Sequence, residues 1–268
     1  MPIEIVSDYH MHSHFSPDSK ASPDELCRHA LALGLEEIAI TDHLEWHPKS
    51  TFPDLDLDGY FAAIESCREE FGPRGLTVYS GIELGNPHDF PAEVDLLLSR
   101  YSFDVIISSL HWLYDEDIHQ SLCFAGRGPE ELYAGYFSDL ARMAAAAPNS
   151  FIAHFDRIFW RGTMTYGALD LAPVEGSVRM ALETMVEHGQ TLEVNAKYLD
   201  RQPGWNEQIL TVLSWYREAG GKHVAVNSDA HTADVIGRNR DVAAALLSEA
   251  GLTKPVQLGT AAAAVGRD

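Results

Sequence analysis

Histidine and carboxylate side chains recur along this chain at spacings that suit metal ligands. The first group reads Asp8-Tyr9-His10-Met11-His12, and Asp18 follows six residues later. Two histidines separated by one residue project to the same side of an extended chain, and zinc, iron and manganese bind imidazole and carboxylate groups in proteins. Because His-x-His pairs also occur on ordinary strands, this group alone leaves metal binding open.

The other candidate ligands come directly after short apolar runs that predict β-strands. Residues 3–6 precede the first histidine pair, and residues 38–40 lead into Thr41-Asp42-His43. The remaining runs are residues 76–82, 103–110, 151–153, 191–194 and 223–226. The first four are followed in order by Glu83, His111, His154 and Asn195, and the last is followed by both Asp229 and His231. A chance distribution of histidines would not follow strand ends in this way, so we predict that these residues share one site.

Helical patterns lie between the predicted strands. The capping box Ser22-Pro23-Asp24-Glu25 begins the first helix, and Gly34 ends it. Later helices are predicted over residues 129–147, 172–188, 206–219 and 241–249. Strand and helix thus alternate seven times, which is the pattern of a (β/α) barrel. Ligands far apart in sequence would then meet where the carboxyl ends of the strands form one mouth.

The composition limits the partners of this chain. Its 268 residues can fold as one domain, and no linker or repeat divides residues 1–268. The formal net charge of −21 would repel long DNA or RNA, whereas bound divalent ions would make one pocket able to accept a small anion. Because the chain has no basic leader and no apolar run of about 18 residues, we expect a cytoplasmic protein without a membrane span.

Residues 54–65 match the spacing of a calcium-binding EF-hand loop, but we do not predict a calcium site there. Acidic residues occupy positions 1, 3, 5 and 12 of that loop and Gly59 occupies position 6. An EF-hand also needs an entering helix, and residues 47–53 contain prolines that prevent one. We expect instead that Asp58 caps a helix whose apolar residues Phe61, Ile64 and Phe71 face the core.

Two features have two interpretations each, and a third group of residues is expected to lie outside the site. Residues 112–128 form a long loop that is either a lid or substrate wall, or a plain surface loop. Asp42 either hydrogen-bonds a ligand histidine or caps the following turn. Seven other histidines do not follow a predicted strand, and we expect ordinary structural or surface roles for them, least clearly for His14 and His119; they are His14, His29, His47, His88, His119, His188 and His223.

Taken together, the motifs resemble those of the PHP (polymerase and histidinol phosphatase) superfamily. The resemblance runs in order from residue 8 to about residue 250 and rests on Asp8-Tyr9-His10-Met11-His12, Thr41-Asp42-His43, Gly81-Ile82-Glu83, Ser109-Leu110-His111, Ala153-His154-Phe155-Asp156 and Ser228-Asp229-Ala230-His231. Within the superfamily the chain is most similar to the stand-alone histidinol-phosphate phosphatases, by size and by Leu192-Glu193-Val194-Asn195. The resemblance implies a deformed (β/α)7 TIM-like barrel. Residues 196–201 differ from that subgroup, which leaves the substrate open.

The resemblance also implies two to three divalent transition-metal ions, a mixture of zinc, iron and manganese. In the family pattern the first ion is bound by His10, His12, Glu83 and Asp229, the second by Glu83, His111 and His154, and the third by Asp18, His43 and His231. Glu83 and Asp229 are the expected catalytic residues. Glu83 would bridge two ions that activate a shared water for attack on phosphorus, and Asp229 would orient that water or take its proton.

The expected activity is hydrolysis of small phosphomonoesters, with L-histidinol phosphate as the named candidate. The candidate phosphate-binding residues are Arg157, Arg161 and Arg201, with Lys197 and Arg238 as further candidates. The first alternative is a phosphodiesterase acting on nucleotides or short oligonucleotides. The second is a non-catalytic metal-binding scaffold, which would not need three ions at a solvent-facing mouth.

Overall fold

Seven parallel strands form the centre of the molecule. The computed structural model describes residues 3–147, 150–167, 169–199 and 204–259. The strands lie in the order β1-β2-β3-β4-β7-β8-β9, and their bounds are β1 (Ser7–Asp8), β2 (Glu37–Glu45), β3 (Thr77–Gly85), β4 (Val105–Ser109), β7 (Phe151–Ala153), β8 (Thr191–Asn195) and β9 (Val224–Asn227). Met11 and Ala230 form a parallel bridge, and the backbone N–H of Tyr9 donates to Asn227 Oδ1 at 2.8 Å. These contacts join the first strand to the last, so the predicted seven-stranded (β/α) barrel is confirmed.

In the described part of the chain, eight α-helices connect the strands or follow them, and a short hairpin precedes the fourth helix. The helices are α1 (Pro23–Ala32), α2 (Leu57–Phe71), α3 (Pro91–Arg100), α4 (Pro129–Ala146), α5 (Arg157–Tyr166), α6 (Glu175–Glu187), α7 (Trp205–Glu218) and α8 (Arg240–Ala250), and the hairpin consists of β5 (Trp112–Leu113) and β6 (Glu116–Asp117). The capping box at Ser22 and Glu25 is present as predicted. Among the described residues, no helix is long and apolar enough to cross a membrane.

Alternate residues of each strand point into the barrel, because side chains on a strand alternate between its two faces. Ala39 and His43 therefore lie on the same face of β2, and Tyr79 and Glu83 lie on the same face of β3. Ala39 and Tyr79 help to fill the barrel. The C-terminal segment covers the opposite end of the barrel, where Leu258 N donates to Tyr9 Oη at 3.0 Å and to Glu37 Oε2 at 2.9 Å. The polar residues accordingly collect at one mouth above an apolar interior.

The structure corrects several local predictions. β1 is Ser7–Asp8, after the apolar residues 3–6 rather than on them. β2 and β3 continue through His43 and Glu83, because these residues still pair with the neighbouring strand. The helix α5, which begins at Arg157, was not predicted. Its N-cap residue is Asp156, but the Asp156 side chain makes no capping hydrogen bond. An aspartate alone is a weak start signal in a segment without a capping box.

Asp56, and not Asp58, caps α2. Asp56 Oδ1 accepts a hydrogen bond from the N–H of Gly59 at 3.1 Å, whereas Asp58 lies in the first turn of the helix. Ile64 and Phe71 are fully buried on the inner face, as predicted. Because α2 begins at Leu57, most of residues 54–65 are helical and do not form a calcium-binding loop.

Candidate metal centre

The carboxylate of Glu83 lies at the centre of five histidines. Each of its oxygens faces a separate set of imidazole nitrogens. Oε2 lies 2.8 Å from His43 Nδ1, 3.3 Å from His10 Nε2 and 3.5 Å from His12 Nε2. Oε1 lies 3.0 Å from His154 Nε2 and 3.2 Å from His111 Nε2. Glu83 is fully buried and Ser109 Oγ donates to its Oε1 at 2.6 Å. The two oxygens therefore divide the histidines into two groups, as a carboxylate that bridges two ions would.

Asp229 connects this cluster to basic side chains. Its Oδ1 lies 3.4 Å from both His12 Nε2 and His231 Nδ1. Its Oδ2 accepts hydrogen bonds from Arg157 Nη2 at 2.8 Å and Lys197 Nζ at 3.1 Å. The same oxygen accepts a bond from Asn195 Nδ2 at 3.1 Å, which explains the polar residue after β8. Asp229 Oδ1 therefore faces two predicted metal ligands, and Oδ2 is paired with two cationic side chains.

Two of the predicted ligands have left-handed backbone conformations. His154 has φ of 62° and Asp229 has φ of 48°. Such values are uncommon for residues other than glycine and cost of order 1–3 kcal/mol each, so surrounding contacts must hold them. At His154 the carbonyl oxygen accepts from Tyr136 Oη at 2.5 Å. The positive φ values change the direction of the chain directly after β7 and β9.

Asp18 forms a third group with two histidines. Its Oδ2 lies 2.9 Å from His231 Nε2 and 3.4 Å from His43 Nε2. Asp42 does not contact a ligand histidine within hydrogen-bond distance in the described chain. It accepts from the N–H and hydroxyl of Ser13, at 2.7 and 2.6 Å, and from Ser16 N at 3.2 Å. Asp42 therefore caps the turn at residues 13–16, which leads to Asp18. Because that turn precedes Asp42 in the sequence, neither of the two predicted roles of Asp42 is observed.

Two glutamates next to the cluster were not predicted as site residues. Glu193 Oε1 lies 2.6 Å from His10 Nδ1, and Glu45 Oε1 hydrogen-bonds His111 Nδ1. Carboxylates that hold the second nitrogen of a ligand histidine are typical of metal sites. Both glutamates lie within strands, and Glu193 has the strand parity that points into the barrel, a signal that could have identified it.

Burial and neighbouring charges separate the protonation states of these groups. Burial, together with the charges of His43 and His231, lowers the pKa of His12 well below its ordinary value. Burial and Arg157 do the same to the pKa of His154. For Glu83, burial alone would raise the pKa, but charges on neighbouring histidines hold it well below its usual range. At His10 and His111 burial alone would lower the pKa, but the carboxylates of Glu193, Glu45 and Glu83 raise it, to about 9 for His111. Neutral imidazole and ionised carboxylate are the forms that bind metals, so ions bound here would displace the protons of these histidines.

The donor atoms of the cluster fit metal ions. His10 Nε2, both ring nitrogens of His12, His43 Nδ1 and Glu83 Oε2 are buried and have no hydrogen-bond partner among the described residues. Buried polar atoms without partners are costly, so their convergence indicates a ligand. Three groups have ligand atoms close enough together to share an ion, namely His10 with His12 and Glu83, His43 with Glu83 and His111, and His12 with His43 and His231.

A cavity of about 690 Å³ opens onto the cluster. Arg157, Lys197 and Tyr198 line it together with six of the predicted ligands, which are Asp18, His43, His111, His154, Asp229 and His231. Trp112, Glu116, Asp117 and His119 also line it, so the first part of the 112–128 loop forms one wall of the cavity. His119 borders the cavity, and its ring hydrogen-bonds Asp117.

Arg161 and Arg238, two other candidate phosphate-binding residues, do not line this cavity. Arg161 is not among the lining residues of the cavity, and its guanidinium donates to the carbonyl oxygen of His119. Arg238 donates to the carbonyl oxygens of Ser228 and Asp229, at 3.0 Å each. Arg201 lies outside the described residues. Of the three candidate arginines that the structure describes, Arg157 is the one that lies at the mouth.

Comparison with known proteins identifies the family. A family model described as PHP domain matches residues 8–197. A histidinol-phosphatase of Lactococcus lactis is 27% identical over 228 residues, which are 84% of this chain and 84% of that protein. A probable phosphatase of Caldanaerobacter subterraneus is 28% identical over 264 residues, 97% of this chain and 89% of the relative.

The fold agrees with these relatives. The crystal structure of histidinol phosphate phosphatase from Lactococcus lactis, complexed with zinc, L-histidinol and phosphate, matches with a TM-score of 0.82 at 25% identity, over 93% of this chain and 95% of that one. A structure from Listeria monocytogenes, described as a putative histidinol phosphatase, shares the fold with a TM-score of 0.69 at 19% identity over 88% of this chain and 99% of that one. Since the family model covers most of the sequence, the chain belongs to the PHP domain family.

Proposed function

We propose that this protein is a metal-dependent phosphatase that hydrolyses small phosphomonoesters. The observation that carries the proposal is the position of Glu83, whose two oxygens face five histidines beneath a cavity lined by Arg157 and Lys197. Metal ligands and phosphate-binding cations therefore border the same space. A scaffold without activity would need neither the cavity nor the cations.

The cluster would hold two to three ions of zinc, iron or manganese. His10, His12, Glu83 and Asp229 suit the first ion, and Glu83, His111 and His154 suit the second. Asp18, His43 and His231 suit the third, for which the carboxylate of Asp18 favours a harder ion. Mixed imidazole and carboxylate donors suit zinc, iron and manganese alike, and elemental analysis of the purified protein identifies the resident metals.

When bound, the ions would supply a strong nucleophile from water at neutral pH and would offset negative charge on the phosphoryl oxygens. The protein side chains do the rest. Arg157 and Lys197 are held by Asp229 Oδ2 and border the cavity, so they can bind phosphoryl oxygens. Asp229 Oδ1, next to His12 and His231, is placed to accept a proton from the attacking water. No protein nucleophile is required.

The first substrate to test is L-histidinol phosphate. It is supported by the Lactococcus lactis relative, whose structure holds L-histidinol and phosphate. The cavity of this chain is also suitable, since Trp112 offers an aromatic face and Glu116 and Asp117 offer negative charge to a cationic, flat leaving group. Lys197 lies in the segment that differs from the histidinol-phosphate phosphatases, so closely related amino-alcohol phosphates belong in the same test.

A phosphatase screen on the purified, metal-loaded protein tests this proposal. The panel should contain L-histidinol phosphate, other amino-alcohol phosphates, sugar phosphates and nucleoside monophosphates, with free phosphate as the measured product. We expect the highest kcat/KM for an amino-alcohol phosphate, and removal of the metals by a chelator should abolish turnover. A protein that retains two ions but releases no phosphate from any monoester contradicts the proposal.

A further inference from the structure

Glu45 contacts the metal cluster from the end of β2. Its side chain is 4% exposed, and Oε1 hydrogen-bonds His111 Nδ1. The other ring nitrogen of His111, Nε2, lies 3.2 Å from Glu83 Oε1. The imidazole is therefore held at both ends, by Glu45 on one side and the central carboxylate on the other. Free rotation of the ring would break both contacts.

Gly85 is the residue that makes room for this arrangement. Glu45 and Gly85 are paired in register on the neighbouring strands β2 and β3. A Cβ atom at position 85 would overlap all three atoms of the Glu45 carboxylate group. The backbone of Gly85 needs no positive φ, since it is absent from the residues of the described chain that have one. Glycine is therefore needed at position 85 because it leaves space for a neighbouring side chain, and not because of its backbone conformation.

The second carboxylate oxygen of Glu45 also indicates a role at the metal cluster. Oε2 is buried and has no hydrogen-bond partner within the described ranges. A glutamate that served only to stabilise the fold would have both oxygens paired, because an unpaired buried carboxylate oxygen costs free energy. Glu45 instead contributes a single directed bond to a predicted metal ligand, and it borders the cavity.

We infer that Glu45 is a positioning residue that fixes the orientation of His111 for metal binding, and that Gly85 is required because it leaves space for the Glu45 carboxylate. This inference rests on one part of the proposed function, namely the presence of a metal centre. The bond to Nδ1 would select the tautomer in which Nε2 is free to bind metal and would raise the basicity of that nitrogen. Glu193 holds His10 Nδ1 in the same manner on the other side of Glu83.

Metal affinity of Glu45 and Gly85 variants tests the inference. Zinc dissociation constants should be measured by chelator competition on the full chain, for wild type, Glu45→Ala, Glu45→Gln, Gly85→Ala and the double variant Glu45→Ala/Gly85→Ala. Two control variants are available. Glu116→Gln removes a charge from the same cavity without touching a predicted ligand, and Gly176→Ala adds a methyl group in α6 where no heavy atom lies within 4 Å.

Glu45→Ala should weaken the affinity of the site containing His111 by about 10- to 100-fold, as loss of such outer partners does. Glu45→Gln should lose less, because an amide oxygen can still accept the hydrogen bond. Gly85→Ala should match Glu45→Ala and add no further loss in the double variant. Both controls should bind zinc as wild type does. Cobalt-substituted protein should show an altered visible spectrum in the Glu45 and Gly85 variants alone.

The melting temperature of the metal-free proteins separates positioning from a loss of folding. If Gly85→Ala does not fold, the two Glu45 variants still decide the question. Wild-type zinc affinity in Glu45→Ala, or a loss in Glu116→Gln equal to that in Glu45→Ala, overturns the inference. Because the readout is metal binding, unchanged affinity with intact phosphatase activity refutes only the role of Glu45. Wild-type metal binding without phosphatase activity refutes only the proposed function.

Discussion

His43 and Glu83 are paired in register on the parallel strands β2 and β3, and His43 Nδ1 lies 2.8 Å from Glu83 Oε2. The two side chains point to the same face of the sheet because paired residues on adjacent strands share a face. Glu83 reaches five histidines from this position, whereas the carboxylates close to the ring nitrogens of His43 are those of Glu83 and Asp18. The two residues should therefore differ in their importance.

Glu83→Ala should reduce phosphomonoester turnover more than His43→Ala. Glu83 is the proposed ligand of two ions, so its loss should lower kcat/KM by more than about 100-fold and remove more than one ion per chain. His43→Ala should remove one ion and leave measurable activity. Elemental analysis and steady-state kinetics on the same preparations provide the comparison. Equal, mild losses in both variants would contradict the bridging role of Glu83.

Arg157→Ala should impair monoester hydrolysis, and Arg161→Ala serves as its matched control. Arg157 borders the cavity and bonds Asp229, whereas Arg161 bonds the carbonyl oxygen of His119 and does not line the cavity. Loss of a charge-assisted contact to phosphate costs about 1.5–3 kcal/mol, or roughly tenfold to a hundredfold in kcat/KM. The kinetics of both variants should be measured with the same substrate. A larger effect at Arg161 than at Arg157 would show that the phosphate binds elsewhere.

Asp56 should behave as a helix cap and not as a calcium ligand. Asp56→Ala should lower the free energy of unfolding by about 1 kcal/mol, because Gly59 N–H loses its acceptor. Asp58→Ala should cost less. Denaturant unfolding with and without millimolar calcium measures both effects. Calcium should change neither stability nor activity, and a saturable stabilisation that disappears in Asp56→Ala would restore the EF-hand interpretation.

The sequence predicted the barrel and the meeting of the histidines, since both follow from local patterns. Strand ends are marked by apolar runs, and His111 and His154 each come directly after one. Glu45 and Arg161 show where the local patterns are insufficient. Whether Glu45 reaches His111 depends on Gly85 in another strand, and the direction of Arg161 depends on the path of residues 112–128. Neither relationship has a signal within a short window of sequence.

Errors in the predicted boundaries have a related cause. The apolar residues 3–6 suggested the first strand, but pairing with β2 begins only at Ser7. Likewise, Asp58 and Asp56 are both good capping residues, and the helix start at Leu57 selects Asp56. In each case composition indicated that the element exists, and tertiary contacts fixed where it begins.

The most direct test of the central claim compares a monoester with a diester on metal-loaded and metal-free protein. A terminal phosphate has two negative charges and three free oxygens for the ions and Arg157 to bind, whereas a diester has one charge and two free oxygens. L-Histidinol phosphate should therefore be hydrolysed with a higher kcat/KM than a nucleotide diester, and chelation should abolish both activities until metal is restored. A higher kcat/KM for the diester, or monoester hydrolysis that survives complete metal removal, would contradict the account.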